Sequence, residues 1–390
     1  MPRHLRGDAV TLRLTFALVL YSGPPSTGPV PRSVTACRTC HAAIVESFLR
    51  TAHFKTSAEA TAQSIRGDFR PGHNLLQTAT PGVRFLMQRK SGKFYQTGVN
   101  TGRQQYVTEK LDLVVGSGRR GQTYLYWKNR ILFELPVSWL TAGSHWINSP
   151  GYPDGRVDFG RIIQPRCLEC HATSFTVDSL EGQKRYSNQY ELGVTCAKCH
   201  GDGSAHVTYQ TTQRAHARPQ DIVNPARLIR ARRLDNCALC HSGGRRARKP
   251  AFSYQPGQPL DDFLAPHPVG ESPVPDVHGN QVGLLERSKC FRASPEMSCS
   301  TCHDVHQPQR DLSVLSRKCL QCHDVRGHPQ RSEIGARFTA LCIDCHMPNR
   351  NSDALQFHSA RGDFPMQFRS HEIGIYRDVS TALLHAGVRR

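Results

Sequence analysis

At 390 residues the chain could bury one large core or two ordinary ones, yet only 38% of its residues are hydrophobic and 8% aromatic, with 31 glycines and 25 prolines. That composition predicts more loop and turn than usual and too little apolar surface for a core made of side chains alone. A formal charge of +19 raises nucleic acid or an anionic surface as a partner, while the lack of any run of eighteen apolar residues excludes a transmembrane helix and leaves only peripheral membrane association open.

The chain begins with Arg3, Arg6 and Arg13 ahead of an apolar run from Leu14 to Tyr21, followed by Ser22, Gly23 and a Pro-rich stretch. Residues 1–32 therefore read as a secretory leader and linker, with cleavage expected between Ser22 and Ser33. Residues 33–74 then bring the first Cys-x-x-Cys-His, at Cys37, Cys40 and His41. The stretch from Ala42 to Lys55 follows it, and Ile44, Val45, Phe48 and Leu49 fit one face of a helix.

Between residues 75 and 158 the pattern turns to short β-rich runs punctuated by Gly, Asn and Arg. Its clearest piece is Thr123 to Trp127, then three polar residues from Lys128 to Arg130, then Ile131 to Leu135, which predicts a hairpin. This block is expected to be a small antiparallel β subdomain, a structural spacer in preference to a docking surface or lid. Residues 159–249 hold three further motifs, 250–280 a Pro-rich connector, 281–375 the last three motifs, and 376–390 a tail.

The motif occurs seven times in all. After Cys37/Cys40/His41 come Cys167/Cys170/His171, Cys196/Cys199/His200, Cys237/Cys240/His241, Cys299/Cys302/His303, Cys319/Cys322/His323 and Cys342/Cys345/His346. This is the attachment signature of c-type haem. One helical turn offers two thiols to the two vinyl groups of a porphyrin, and the adjoining imidazole reaches the iron. A zinc site would take its remaining ligands from a second, distant pair, and a thioredoxin-type motif would occur once and needs no histidine. Seven copies consuming fourteen of fifteen cysteines predict seven covalent haems. The leftover Cys290, in Ser-Lys-Cys-Phe-Arg, is expected to be a small buried hydrophobe.

Haem changes the meaning of composition and charge. Porphyrins supply the missing apolar core, so the expected fold is mainly α with irregular loops packed around haem, plus the small β subdomain. Fourteen propionates would take +19 to about +5 with ferrous iron or about +12 with ferric iron, and Arg suits carboxylate pairing. Nucleic acid is therefore not expected as a partner, and redox proteins are, one as donor and one as acceptor. Haem attachment on the outer side of the bacterial inner membrane predicts a periplasmic or otherwise extracytoplasmic location.

Thirteen histidines lie outside the motifs. His206, six residues past His200 across two glycines, His306, three past His303, and His53, twelve past His41, are placed to reach the distal side of a neighbouring iron. His278, His328, His358 and His371 are weaker candidates in the haem-dense half. His73, His145, His216 and His267 are less favoured, and His4 and His385 are expected to be idle. With five methionines in the chain, bis-His ligation and low potentials are expected.

The segments 133–139 (FELPVSW), 146–152 (WINSPGY), 165–171 (PRCLECH), 199–206 (CHGDGSAH), 235–241 (DNCALCH) and 342–348 (CIDCHMP) resemble the multihaem c-type cytochromes of planctomycetes and related bacteria, over roughly residues 33–372. More distantly the chain is similar to the superfamily of hydroxylamine oxidoreductase, pentahaem nitrite reductase and the tetrahaem cytochrome of nitrifiers. The resemblance implies bis-His electron transfer through closely packed haems, with the distal role falling on His53, His206, His306 and His371. The Cys-x-x-Cys-Lys that marks the catalytic haem of pentahaem nitrite reductase does not occur here. An electron carrier is thus favoured over the alternative, an oxidoreductase acting on hydroxylamine, nitrite or a related nitrogen or sulfur species at one open haem.

Overall fold

A computed structural model describes residues 32–180, 182–212, 222–267, 279–360 and 362–385. Residues 1–31 of the expected leader, with His4, and His216, His278 and the residues 268–278 of the Pro-rich stretch lie outside the described residues. The first helix, Arg32–Phe48, carries the first motif through a local kink at His41, where φ is −115° and ψ 37°. It buries Val34, Val45 and Phe48, leaves Ile44 exposed, and stops well before Lys55. Thr51 ends it by donating its hydroxyl to the Phe48 carbonyl at 2.7 Å and accepting the Phe54 N–H at 3.2 Å, a local alternative to the helical ladder.

Strands follow in close succession: β1 (Ser57–Glu59), β2 (Leu75–Gln77), β3 (Val83–Lys90), β4 (Lys93–Asn100), β5 (Gln105–Lys110), β6 (Leu113–Val115), β7 (Gly121–Lys128), β8 (Ile131–Glu134), β9 (Val137–Leu140) and β10 (His145–Asn148). They form one antiparallel sheet in the order β2-β3-β4-β5 and a second in the order β1-β6-β7-β9-β10, with β8 also paired to β7. Alternation along β3 sends Val83, Phe85 and Met87 inward. There they meet Tyr124, Val137, Trp139 and Trp146 in one core. Strand residues of opposite parity face another way: Leu113, Leu125 and Leu132 pack on Leu168, Ala172, Phe175 and Tyr186. The second sheet thus serves as a wall for the second motif.

The expected hairpin is present, but its turn is tighter than the sequence suggested. Lys128 pairs with Ile131, leaving only Asn129 and Arg130 in the turn, at φ of +52° and +63°. Arg130 is held in this unusual backbone by donating from Nε to the Tyr186 carbonyl at 2.9 Å and by pairing with Asp178.

The mainly α expectation is wrong. Among the described residues 32% are helical and 27% are strand, in four antiparallel sheets. Two reasons account for this. Motif helices are short, as in Cys196–His200, Cys299–Cys302 and Cys342–His346. The connection between the second and third motifs and the chain after the seventh also build two long hairpins, β11 (Ala172–Leu180) with β12 (Gln183–Leu192) and β13 (Asn349–Ser359) with β14 (Gly362–Arg369). The polar, irregular sequence of those hairpins hid their alternation. Residues 250–267 contribute Tyr254, Leu260, Phe263 and Leu264 to a third core with Ala238, Leu239 and Val282.

Candidate haem sites

Cysteine, cysteine and histidine at i, i+3 and i+4 share one face of a helical turn. Pro165–His171, Cys196–His200, Arg230–His241 and Cys342–His346 present whole motifs in this way, and Pro165 starts its helix where a missing N–H is harmless. Hydrogen bonds from the tertiary structure then fix the imidazoles. The Nδ1 of His200 bonds the Val223 carbonyl at 2.8 Å and that of His346 the Gly374 carbonyl at 2.7 Å. The Nδ1 of His171 meets Thr56 Oγ1 at 3.0 Å, and that of His303 meets Gln309 Oε1 at 3.3 Å. An occupied Nδ1 leaves Nε2 as the metal-facing nitrogen.

Four motif histidines each have a second histidine opposite. Ring centres are 6.2 Å apart for His241 and His53, 6.0 Å for His200 and His306, 6.2 Å for His303 and His371, and 6.1 Å for His346 and His328. Each nitrogen binds a metal at about 2 Å with its ring centre ~1.1 Å farther back, so two imidazoles on opposite faces of one metal stand about 6.2 Å apart. Burial lowers the pKa of His53 and His371 to about 4 and also draws down His200 and His241, so these rings are neutral at pH 7, as ligands must be.

The pairs come together because distant segments are pinned. Gly193, at φ +71°, sits so close to Phe54 that a Cβ would lie 2.2 Å from its carbonyl oxygen. The neighbouring Val194 N–H bonds the His53 carbonyl at 3.0 Å, which fixes His53 beside the fourth motif. His371 is steadied by Ser288, whose hydroxyl donates to the His371 carbonyl at 3.1 Å.

The remaining candidates are placed differently. His206 has a buried Nδ1 with no hydrogen-bond partner and lies on the helix Ser204–Thr212, which packs near the first-motif helix. His358 lies in β13 with its Nδ1 on Asp363 at 2.8 Å, and its carbonyl accepts from Asn148 at 2.7 Å. His267 Nε2 donates to the Ser242 carbonyl at 2.5 Å. His73 faces Asp68, His145 stacks edge-on to Phe364, and His385 ends the helix Arg377–His385. His41 and His323 are exposed.

Cysteines of different motifs also meet. Thiols are in hydrogen-bonding contact between Cys37 and Cys196, Cys170 and Cys240, Cys237 and Cys299, and Cys319 and Cys342. Cys302 lies close enough to Cys290 and Cys322 to interact electrostatically. All fifteen cysteines are free of disulfides. Among the described residues no group of three or more His, Cys, Asp or Glu side chains is arranged to hold a bare metal ion. Pairs suffice for haem, because the porphyrin itself brings four nitrogens and needs only axial ligands from the protein.

Comparison with known proteins agrees with this chemistry. Residues 155–201 match the family described as cytochrome c554 and c-prime, and residues 313–351 match the doubled CXXCH motif. Over these two stretches the chain is similar to multihaem c-type cytochromes. Its fold is similar to that of the outer cell wall cytochrome OcwA, at 15% identity and a TM-score of 0.54, covering 89% of this chain and 80% of that one. An undecahaem cytochrome from the S-layer of Carboxydothermus ferrireducens matches at 16% identity and a TM-score of 0.40, covering 88% of this chain and 52% of that one. No curated protein sequence matches. Sequence reasoning could nominate distal histidines for the cytochrome but not their partners, and it missed Thr56, whose only signal is its place three residues after His53.

Proposed function

We propose that this chain is an exported electron-transfer cytochrome with seven covalent haems, most of them ligated by two histidines. The observation that carries the reading is the set of four histidine pairs at 6.0 to 6.2 Å, each joining a motif histidine to a ring from elsewhere in the chain. His53, His306, His371 and His328 are the distal ligands on this reading, and His206, with its orphaned nitrogen beside the first-motif helix, is the candidate for His41. Bound haem supplies the one-electron chemistry, and the protein supplies spacing, burial and axial ligation.

The cysteine contacts support a continuous path. They link the first motif to the third, the second to the fourth, the fourth to the fifth and the sixth to the seventh. Without touching, Cys199 and Cys237 lie near enough to interact electrostatically, as do Cys302 and Cys322, which sets the third motif near the fourth and the fifth near the sixth. The resulting order is 1-3-4-5-6-7 with the second motif branching at the fourth. Electron tunnelling falls steeply with separation, so haems bound at neighbouring cysteine pairs would be close enough to favour transfer along the chain. Redox proteins at its two ends are the partners this arrangement calls for.

Export is supported by the basic and apolar start of the sequence and by the outer cell wall location named for the similar structure. Among the described residues no helix is long and apolar enough to cross a membrane. Kinship with planctomycete cytochromes and the hydroxylamine oxidoreductase superfamily rests on the sequence segments alone. Electron paramagnetic resonance of the oxidised protein tests the function: low-spin ferric haem should dominate. A substantial high-spin signal that shifts with nitrite or hydroxylamine would instead make it an oxidoreductase.

A further inference from the structure

Three charged side chains unused by the reading above lie at the meeting of the second, third and fourth motifs. Glu169 stands between Cys167 and Cys170 and is 3% exposed. Its carboxylate accepts from Arg166 Nη1 at 2.7 Å and from the Phe252 N–H at 2.7 Å. Arg166 also donates from Nη2 to the Leu239 carbonyl at 2.7 Å, inside the fourth motif, with Nη1 3.5 Å from Cys170 Sγ. Lys198, between Cys196 and Cys199, donates to the Thr173 carbonyl at 3.4 Å, and its Nζ lies 4.9 Å from the Phe252 ring centre.

Phe252 closes this cluster. Its φ of +67° is costly for a bulky side chain, and it is held there by the Glu169 hydrogen bond, the Lys198 cation and a contact with Phe175 at 6.0 Å. Burying ions costs several kcal/mol apiece before pairing, and pairing here is incomplete: two cations face one carboxylate. The surplus positive charge sits at the motif turns themselves, where low dielectric would strengthen its interaction with the iron of a bound haem.

We propose that Arg166, Glu169 and Lys198 are tuning residues for the haems on the second, third and fourth motifs, the two cations raising the reduction potentials and Glu169 offsetting them only in part. Oxidised iron carries one more positive charge than reduced iron, so a net cationic cluster disfavours oxidation. The branch of the chain thereby becomes the place where electrons collect. This rests on the electron-transfer reading, and the test separates the two.

Holoprotein from an export-competent host is first assayed for covalent haem, then titrated potentiometrically. Lys198→Met should move a subset of the haems to lower potential and Glu169→Gln a subset to higher potential, each by about tenfold in the reduction equilibrium, or about 59 mV for one electron. Lys198→Arg should restore the parent titration. If Lys198→Met does not load haem, Lys198→Gln, which keeps a donor for Thr173, carries the same expectation. Shifts of the same sign in both variants, or none with haem fully loaded, overturn the proposal. A parent protein without covalent haem overturns the electron-transfer reading instead.

Discussion

His53 offers the sharpest perturbation of a single haem. Its ring stands 6.2 Å from that of His241 and meets it nearly edge-on at 81°, and on the proposed ligation the two would share one iron. On the proposed ligation, replacing His53 with alanine would remove one axial ligand from one of seven haems, so about one-seventh of the iron should turn from low-spin to high-spin ferric. Replacing it with methionine should keep that iron low-spin but raise its potential by the order of 100 mV, since axial ligation spans about 0.8 V across haem proteins. Electron paramagnetic resonance and a potentiometric titration read the two variants, with His73→Ala as the control, since His73 faces Asp68. A His53→Ala spectrum identical to that of the control would refute the ligation argument, because a mere packing histidine cannot change the spin state of a distant iron.

Three further outcomes are expected. Thr56→Val removes the hydroxyl beside His171 Nδ1, weakens that imidazole as a donor, and should raise the potential of one haem without altering haem content. Leu132→Ala empties a site that is 0% exposed between the second sheet and the second motif, and should cost about 2–5 kcal/mol in denaturant unfolding of the holoprotein. Glu134, buried beside Arg161 at 2.9 Å, has its pKa raised by burial from 4.5 to about 7. The folded state therefore binds this proton more tightly, a stabilisation fully present below about pH 4.5 and lost as pH rises through about 7. Glu134→Gln should thus gain about 3 kcal/mol on the parent between acidic and mildly alkaline pH, measured as the difference between their unfolding free energies; a pH-independent difference would count against it.

What the sequence disclosed follows from how local each signal is. The haem motif is a five-residue device, readable without knowing the fold. The hairpin over 123–135 was readable too, because that stretch concentrates aromatic and branched residues around polar ones. Its tight turn was not, since arginine at φ +63° is held by Tyr186 and Asp178 from a hairpin far along the chain. The hairpins at 172–192 and 349–369 escaped notice because polar residues occupy both faces, and β13 gains its setting partly from Asn148 bonding the His358 carbonyl. Pairings such as His53 with His241 depend on Gly193 and Val194 drawing the segment around Phe54 inward. No spacing along the chain encodes that contact.

The claim beneath all of this is that iron porphyrins are thioether-bound at the seven motifs. Intact mass spectrometry of denatured protein from an export-competent host tests it most directly. The account predicts a polypeptide heavier by seven haems, with a Soret band that survives acid-acetone extraction. A mass equal to the bare polypeptide, or fewer haems with the corresponding cysteines alkylatable, would contradict it.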